Sequence, residues 1–186
     1  MTIEKLLGRS LAELRRHFIE SERHVPDGFL EALESDPRSG ARQLALLIRK
    51  RRLKNRQEGQ RLRNLLRFEL ELWNNGTCLV AGVDEAGMAP LAGPVVAAAV
   101  ILPCGYKLRG LNDSKKIIDE QKRAELALQI KQDAVCWSVG QADVDEIDTL
   151  NIYHAGLLAM RRAVETLACK PEYVLVDART IPHCSC

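Results

Sequence analysis

Cys78-Leu-Val-Ala-Gly-Val83 runs straight into Asp84-Glu85, and after a loop of glycine, proline and small residues comes Gly93-Pro-Val-Val-Ala-Ala-Ala-Val-Ile-Leu102. The first segment is a short apolar strand that stops at charge. The second has almost no polar face, the pattern of a strand buried on both sides. Further on, residues 119–131 read as a helix with Ala124, Ala127, Leu128 and Ile130 inward, and residues 134–142 alternate as a third strand. Leu150, Tyr153, Leu157, Met160, Val164 and Leu167 recur at helical spacing and form one apolar seam, which Lys170-Pro171 ends. Residues 173–176 read as a fourth strand that stops at Asp177. Strands and helices in this order predict an α/β fold, one sheet with helices packed on it.

Asp84, Glu85 and Asp177 therefore share one structural position, the carboxyl end of an apolar strand. In open α/β sheets that end faces the ligand crevice. If the first and fourth strands are parallel neighbours, about 4.8 Å apart, their terminal carboxylates converge. Converging carboxylates repel unless a cation sits between them. Hard oxygen donors suit Mg²⁺ or Mn²⁺ rather than zinc, and such a site suits phosphoryl transfer. The same acids serve equally as solvated loop residues or helix caps. Around them, Gly87-Met88-Ala89-Pro90 would let backbone approach a bound ligand closely. Asn112-Asp113-Ser114-Lys115-Lys116 offers an amide, a hydroxyl and two ammonium groups, a plausible phosphate cradle, or simply a soluble loop.

Upstream of residue 78 the character changes. The 186-residue chain carries 27 Lys+Arg against 25 Asp+Glu, a balance that excludes a globally basic, histone-like protein. Yet residues 1–77 hold 16 basic and 11 acidic side chains, and residues 41–67 hold ten basic and one acidic, Glu58. Ser10-Leu-Ala-Glu13 is a capping box. Asp36-Pro37 reads as an N-cap with proline at the first helical position, opening a helix that runs to Trp73. Leu44, Leu47, Ile48, Leu62, Leu65 and Leu66 give it a broken apolar stripe, and Asn74-Asn75-Gly76 closes it. Two domains follow: a basic helical extension over 1–77 and an α/β body over 78–186. Arg42, Arg49, Lys50, Arg51, Arg52, Lys54, Arg56, Arg61 and Arg63 form a phosphate-backbone footprint, or else the solvated face of an amphipathic helix.

Apolar residues make up 46% of the chain, enough for a packed core. No apolar run approaches the roughly 20 residues a bilayer requires. The N-terminus has charges among its leucines and lacks a secretory apolar block, so a cytoplasmic protein without membrane contact is expected. The six cysteines then read as reduced thiols; Cys184-Ser-Cys186 has no second pair with which to hold a metal.

Five segments in order, Val80-Ala-Gly-Val-Asp84-Glu85-Ala-Gly, Pro90-Leu-Ala-Gly-Pro-Val-Val, Leu111-Asn-Asp-Ser-Lys-Lys116, Asn151-Ile and Pro171-Glu-Tyr-Val-Leu-Val-Asp177, together resemble prokaryotic ribonuclease HII. The basic arm resembles the helical N-terminal extension of some members. The resemblance implies a ribonuclease H-like mixed sheet with flanking helices. It implies endonucleolytic hydrolysis of the RNA strand of RNA–DNA hybrids and nicking at ribonucleotides embedded in DNA, leaving 5′-phosphate and 3′-hydroxyl ends. Asp84, Glu85 and Asp177 would be catalytic and would bind Mn²⁺ or Mg²⁺. Gly87, Met88 and Ala89 would occupy the loop that senses the ribose 2′-hydroxyl, and Asn112, Ser114 and Lys115 would lie near backbone phosphates. We expect a monomer. Two departures stand out. The family's junction loop is usually Gly-Arg-Gly, where this chain has Gly87-Met88-Ala89. The family also has a fourth acid in a Lys-Gly-Asp segment, whereas this chain ends nine residues after Asp177 (186 − 177). A truncated chain with β-sheet edge exposed at its fourth strand is expected, and the alternative function is that of an inactive, hybrid-binding remnant.

Overall fold

A computed structural model describes residues 2–86, 88, 93–177 and 180–184, with only the backbone at Ser114. The chain divides into two compact units, residues 1–64 and 65–186.

The first unit is helical. It comprises α1 (Ile3–Leu7), α2 (Leu11–Arg15) with a π-helical turn after it (Arg16–Glu20), α3 (Phe29–Glu34) and all but the last residue of α4 (Ala41–Leu65). The capping box forms as expected: Ser10 Oγ accepts from Glu13 N, and Glu13 Oε2 accepts from Ser10 N at 2.9 Å. Leu6, Leu14, Phe18, Phe29 and Leu33 meet Ala41, Leu44, Ala45 and Ile48 of α4 in one core. The spacing of those α4 residues puts them on one helix face. Each large aliphatic or aromatic side chain buried there contributes roughly 1.5–3 kcal/mol.

Two expectations for this region are corrected. The helix does not open at Pro37. The Asp36 carboxylate instead accepts from Arg38 N and Nε, both at 2.9 Å, which locks a turn. The helix begins at Ala41, after Gly40 adopts φ 87°, a conformation that favours glycine. Nor does one helix run to Trp73: it breaks at Leu66 (φ −94°, ψ 26°), and α5 (Arg67–Asn74) starts afresh. Within the expected stripe, Leu44, Ile48, Leu62 and Leu66 are buried, but Leu47 and Leu65 face solvent.

The second unit holds α5, β1 (Val80–Ala86), β2 (Val95–Ile101), a 3₁₀ turn (Ser114–Lys116), α6 (Glu120–Asp133), β3 (Cys136–Ala142), α7 (Val144–Leu150), α8 (Ile152–Glu165) and β4 (Tyr173–Val176). The sheet order is β3-β2-β1-β4. β2 pairs antiparallel with both β3 and β1, while β4 lies parallel to β1 at the sheet edge. This is the α/β arrangement, one sheet with helices packed on it, that the order of segments predicts, and the mixed sheet with flanking helices that the resemblance implies.

One face of the sheet carries the core. Val83, Val95, Ala97, Ala99 and Ala142 pack on Ala155, Ala159, Met160 and Ala163 of α8. The small residues let the helix settle close: Ser138 Oγ donates to the Ala163 carbonyl, and Gly140 lies directly beneath the α8 backbone. Arg162 fastens the rim, donating to Gln141 O and to both carboxylate oxygens of Glu146. Asn151 starts the helix by accepting from Tyr153 N and His154 N. The opposite face is open, with Trp137, Val139 and Tyr173 exposed. β2 is therefore not buried on both sides: Val95, Ala97, Ala99 and Ile101 are buried and Ala98 is exposed. The inward face expected of α6 is corrected too. Ala124, Ala127 and Leu128 are exposed and Ile130 is half-buried, because α8 already fills the packed face.

Candidate active site

Parallel pairing fixes Asp84, which lies inside β1 rather than at its end, and Asp177, just past β4. Val80 lies across from Tyr173 and Val83 across from Val176, so the next residue on each strand is Asp84 on β1 and Asp177 after β4. Residues alternate between faces along a strand. Ala81 and Val83 therefore point to the core, while Gly82 and Asp84 point to the open face.

On that face a cavity of about 900 Å³ is lined by Asp84 and Asp177 together with Gly82, Ala98, Leu175 and Tyr173. Phe68 and Glu69 of α5 close its other side. The absence of bulk at Gly82 and Ala98 leaves the room. A Cβ at Gly82 would meet nothing within 4 Å. The charged groups on its walls are the carboxylates of Asp84, Asp177 and Glu69, set against aliphatic and aromatic side chains. Asp84 Oδ1 accepts from Glu85 N at 2.9 Å, which orients the first carboxylate.

Glu85 is not brought into this cavity: strand alternation directs it to the α8 side. Among the described residues, no three His, Cys, Asp or Glu side chains form a group able to hold a metal ion. The donor chemistry at Asp84 and Asp177 nonetheless fits a hard divalent cation, since both offer carboxylate oxygens to one space.

The remaining expected residues are dispersed. Gly87 and Ala89 lie outside the described residues. Met88 is half-buried and packs against the Val83–α8 core. Asn112 Oδ1 accepts from Asp113 N at 3.0 Å, and Lys115 N donates to Asp113 Oδ1 at 2.9 Å. These bonds fold the segment into its 3₁₀ turn and leave the Lys115 side chain exposed. The Ser114 side chain lies outside the described residues. Glu69 is a cavity residue that strand-end reasoning misses; it lines the cavity beside its α5 neighbour Phe68. His154, whose backbone N–H completes the α8 cap, is an exposed surface residue.

Comparison with known proteins places these features. Residues 81–185 match the model for ribonuclease HII, and residues 10–73 match that for the ribonuclease HII N-terminal domain. A ribonuclease HII of Myxococcus xanthus is 64% identical over 99% of this chain and 63% of its own length. A ribonuclease HII of Anaeromyxobacter is 58% identical over 98% of this chain and 58% of its own length. The chain thus spans about three-fifths of these relatives. The crystal structure of the ribonuclease H2 from Pyrococcus horikoshii OT3 aligns with 52% of this chain at 24% identity and a TM-score of 0.39, too slight a likeness to carry weight. The two matches, in register with the helical unit and the sheet, show that the chain belongs to the ribonuclease HII family.

Proposed function

We propose that this chain provides the hybrid-recognising and part of the metal-binding machinery of an endonuclease that hydrolyses RNA–DNA hybrids and nicks DNA at embedded ribonucleotides. The observation that carries the reading is the convergence of Asp84 and Asp177, set by the parallel β1–β4 pair, on one cavity. Asp84 and Asp177 would hold Mn²⁺ or Mg²⁺; Glu85, the third acid the resemblance implies, is directed away from their cavity. The ion supplies Lewis acidity for in-line displacement at phosphorus, producing 5′-phosphate and 3′-hydroxyl ends. The chain's own part is to fix the carboxylates before substrate arrives: β1 and β4 hold their spacing, and the Glu85 amide orients Asp84. The Gly87-Met88-Ala89 segment would meet the ribose 2′-hydroxyl. Asn112, Ser114 and Lys115 would meet the flanking phosphates.

The basic arm would add sequence-independent grip. Among the described residues, Arg49 pairs with Glu31 and Glu34, and Arg61 with Glu58, whereas Lys50, Arg52, Lys54 and Arg56 make no ion pair. Those four cations remain available to phosphate.

The test is Mn²⁺-dependent nicking of a duplex containing a single ribonucleotide. Asp84→Asn should abolish cleavage while leaving the circular dichroism unchanged. Equal cutting of an all-DNA duplex would refute the 2′-hydroxyl reading. A second reading, binding without turnover, is favoured by the lack of a three-carboxylate group among the described residues. It predicts salt-sensitive hybrid binding by the 186-residue chain, and multiple-turnover cleavage would exclude it.

A further inference from the structure

Just beyond the end of the sheet opposite the carboxylates lie two cysteines, Cys78 and Cys104. Ala81 of β1 lies across from Ile101 of β2. Beyond the ends of the ladder, Cys78 lies two residues before β1 and Cys104 three residues after β2. The two meet: Cys104 Sγ donates to the Cys78 carbonyl oxygen at 3.9 Å. Both lie outside the sheet's strands, so a disulfide between them need not break a ladder pair.

Their surroundings differ in stiffness. Cys78 N and Leu79 N both donate to Glu172 Oε2, at 2.9 and 2.8 Å, which pins the Cys78 backbone beside β4. Cys104 sits in a turn with Gly105 at φ 73°, closed by Tyr106 N donating to Pro103 O. One sulfur is held while the other rides on a turn that can adjust. Both residues are exposed.

We propose that Cys78 and Cys104 are an oxidation-sensitive pair that closes to a disulfide when the protein meets hydrogen peroxide. The Cys78 thiolate attacks one peroxide oxygen; the O–O bond breaks, and the departing hydroxide takes up a proton to become water. Cys78 is left as a sulfenic acid. The Cys104 sulfur gives up its proton and attacks the Cys78 sulfur; the S–S bond forms, the S–O bond breaks, and the released hydroxide takes that proton. Two thiols lose two electrons and one peroxide becomes two waters. Contact with the Cys78 thiol, then burial, holds the Cys104 thiol above its ordinary pKa, and Cys104, carried on its adjustable turn, serves as the resolving partner. Cys136 and Cys169 also touch, but Cys136 is buried and its thiol is pushed up by that burial, which slows attack.

The experiment treats the reduced 186-residue chain with stoichiometric hydrogen peroxide, blocks free thiols by alkylation, and reads intact mass and digested peptides. The expected result is a loss of two hydrogens and a peptide joining Cys78 to Cys104, both reversed by dithiothreitol. Cys136→Ser should retain the cross-link. Cys104→Ser should lose it and accumulate a sulfenic acid at Cys78 that a dimedone probe captures. The proposal is overturned if Cys78 and Cys104 remain alkylatable while Cys136 and Cys169 join, or if Cys78 proceeds to sulfinic acid without any cross-link.

Discussion

Gly140 sets how near β3 and α8 can come. A Cβ built there would collide with the Ala159 carbonyl and the Ala163 amide, both backbone atoms with no freedom to yield. Gly140→Ala should cost about 2–3 kcal/mol, read as a lower urea midpoint at unchanged slope. Gly82→Ala, in open space on the other face, should stay within about 0.5 kcal/mol. Tyr106 carries a different signature. Burial first, then its hydrogen bond to Asp133, pushes the phenol from 10.0 up to about 12. The folded state then keeps a proton that the unfolded chain releases. That stabilisation is complete below pH 10 and is lost as pH rises towards 12. Of the three tyrosines, one should ionise late in an absorbance titration, and Tyr106→Phe should remove that step.

Among the elements, α4 bears the strongest expectation about binding. Arg52→Ala with Arg56→Ala should lower the slope of log affinity against log salt by about 0.9 for each phosphate that the arm no longer neutralises, measured by anisotropy on a labelled hybrid. The same elements show what local sequence carries. β1 and β4 are legible as apolar runs met by an acid, which marks Asp84 and Asp177, but β1 does not stop there: it carries Asp84 and Glu85 in its ladder with β2 and ends at Ala86. The break at Leu66 is not legible, since Asn64-Leu65-Leu66-Arg67 contains neither proline nor glycine and has adequate helix propensity. The inward face of α6 fails for a tertiary reason. Its candidates are three modest side chains and Ile130, while α8 offers an alanine- and glycine-rich seam that fits the sheet more closely. Glu69 escapes notice because a helical acid gains meaning only when the helix lies over Gly82 and Ala98. Glu85 shows the converse: an acid adjacent in sequence to Asp84 is turned to the other face by the period of the strand.

At the scale of the molecule, α8 covers one face of the sheet, while the other is covered only in part, by α5 over Gly82 and Ala98. Trp137 is 44% exposed, Val139 52% and Tyr173 48%, all on the open face. Such a patch attracts apolar partners. The chain should bind the dye anilinonaphthalene sulfonate with enhanced fluorescence, and Val139→Lys should reduce that signal without lowering the unfolding midpoint. No described helix is long and apolar enough to cross a membrane, so the patch is not part of a helical span. The parallel β1–β4 pair has a consequence in time. Asp84 and Asp177 are 93 residues apart along the chain (177 − 84). At a translation rate of about 5–20 residues per second, Asp84 leaves the peptidyl-transferase centre about 5–20 s before its partner is made. A nascent chain on the ribosome therefore holds the first aspartate without the second, and the proposed carboxylate site cannot begin to assemble until β4 has been made.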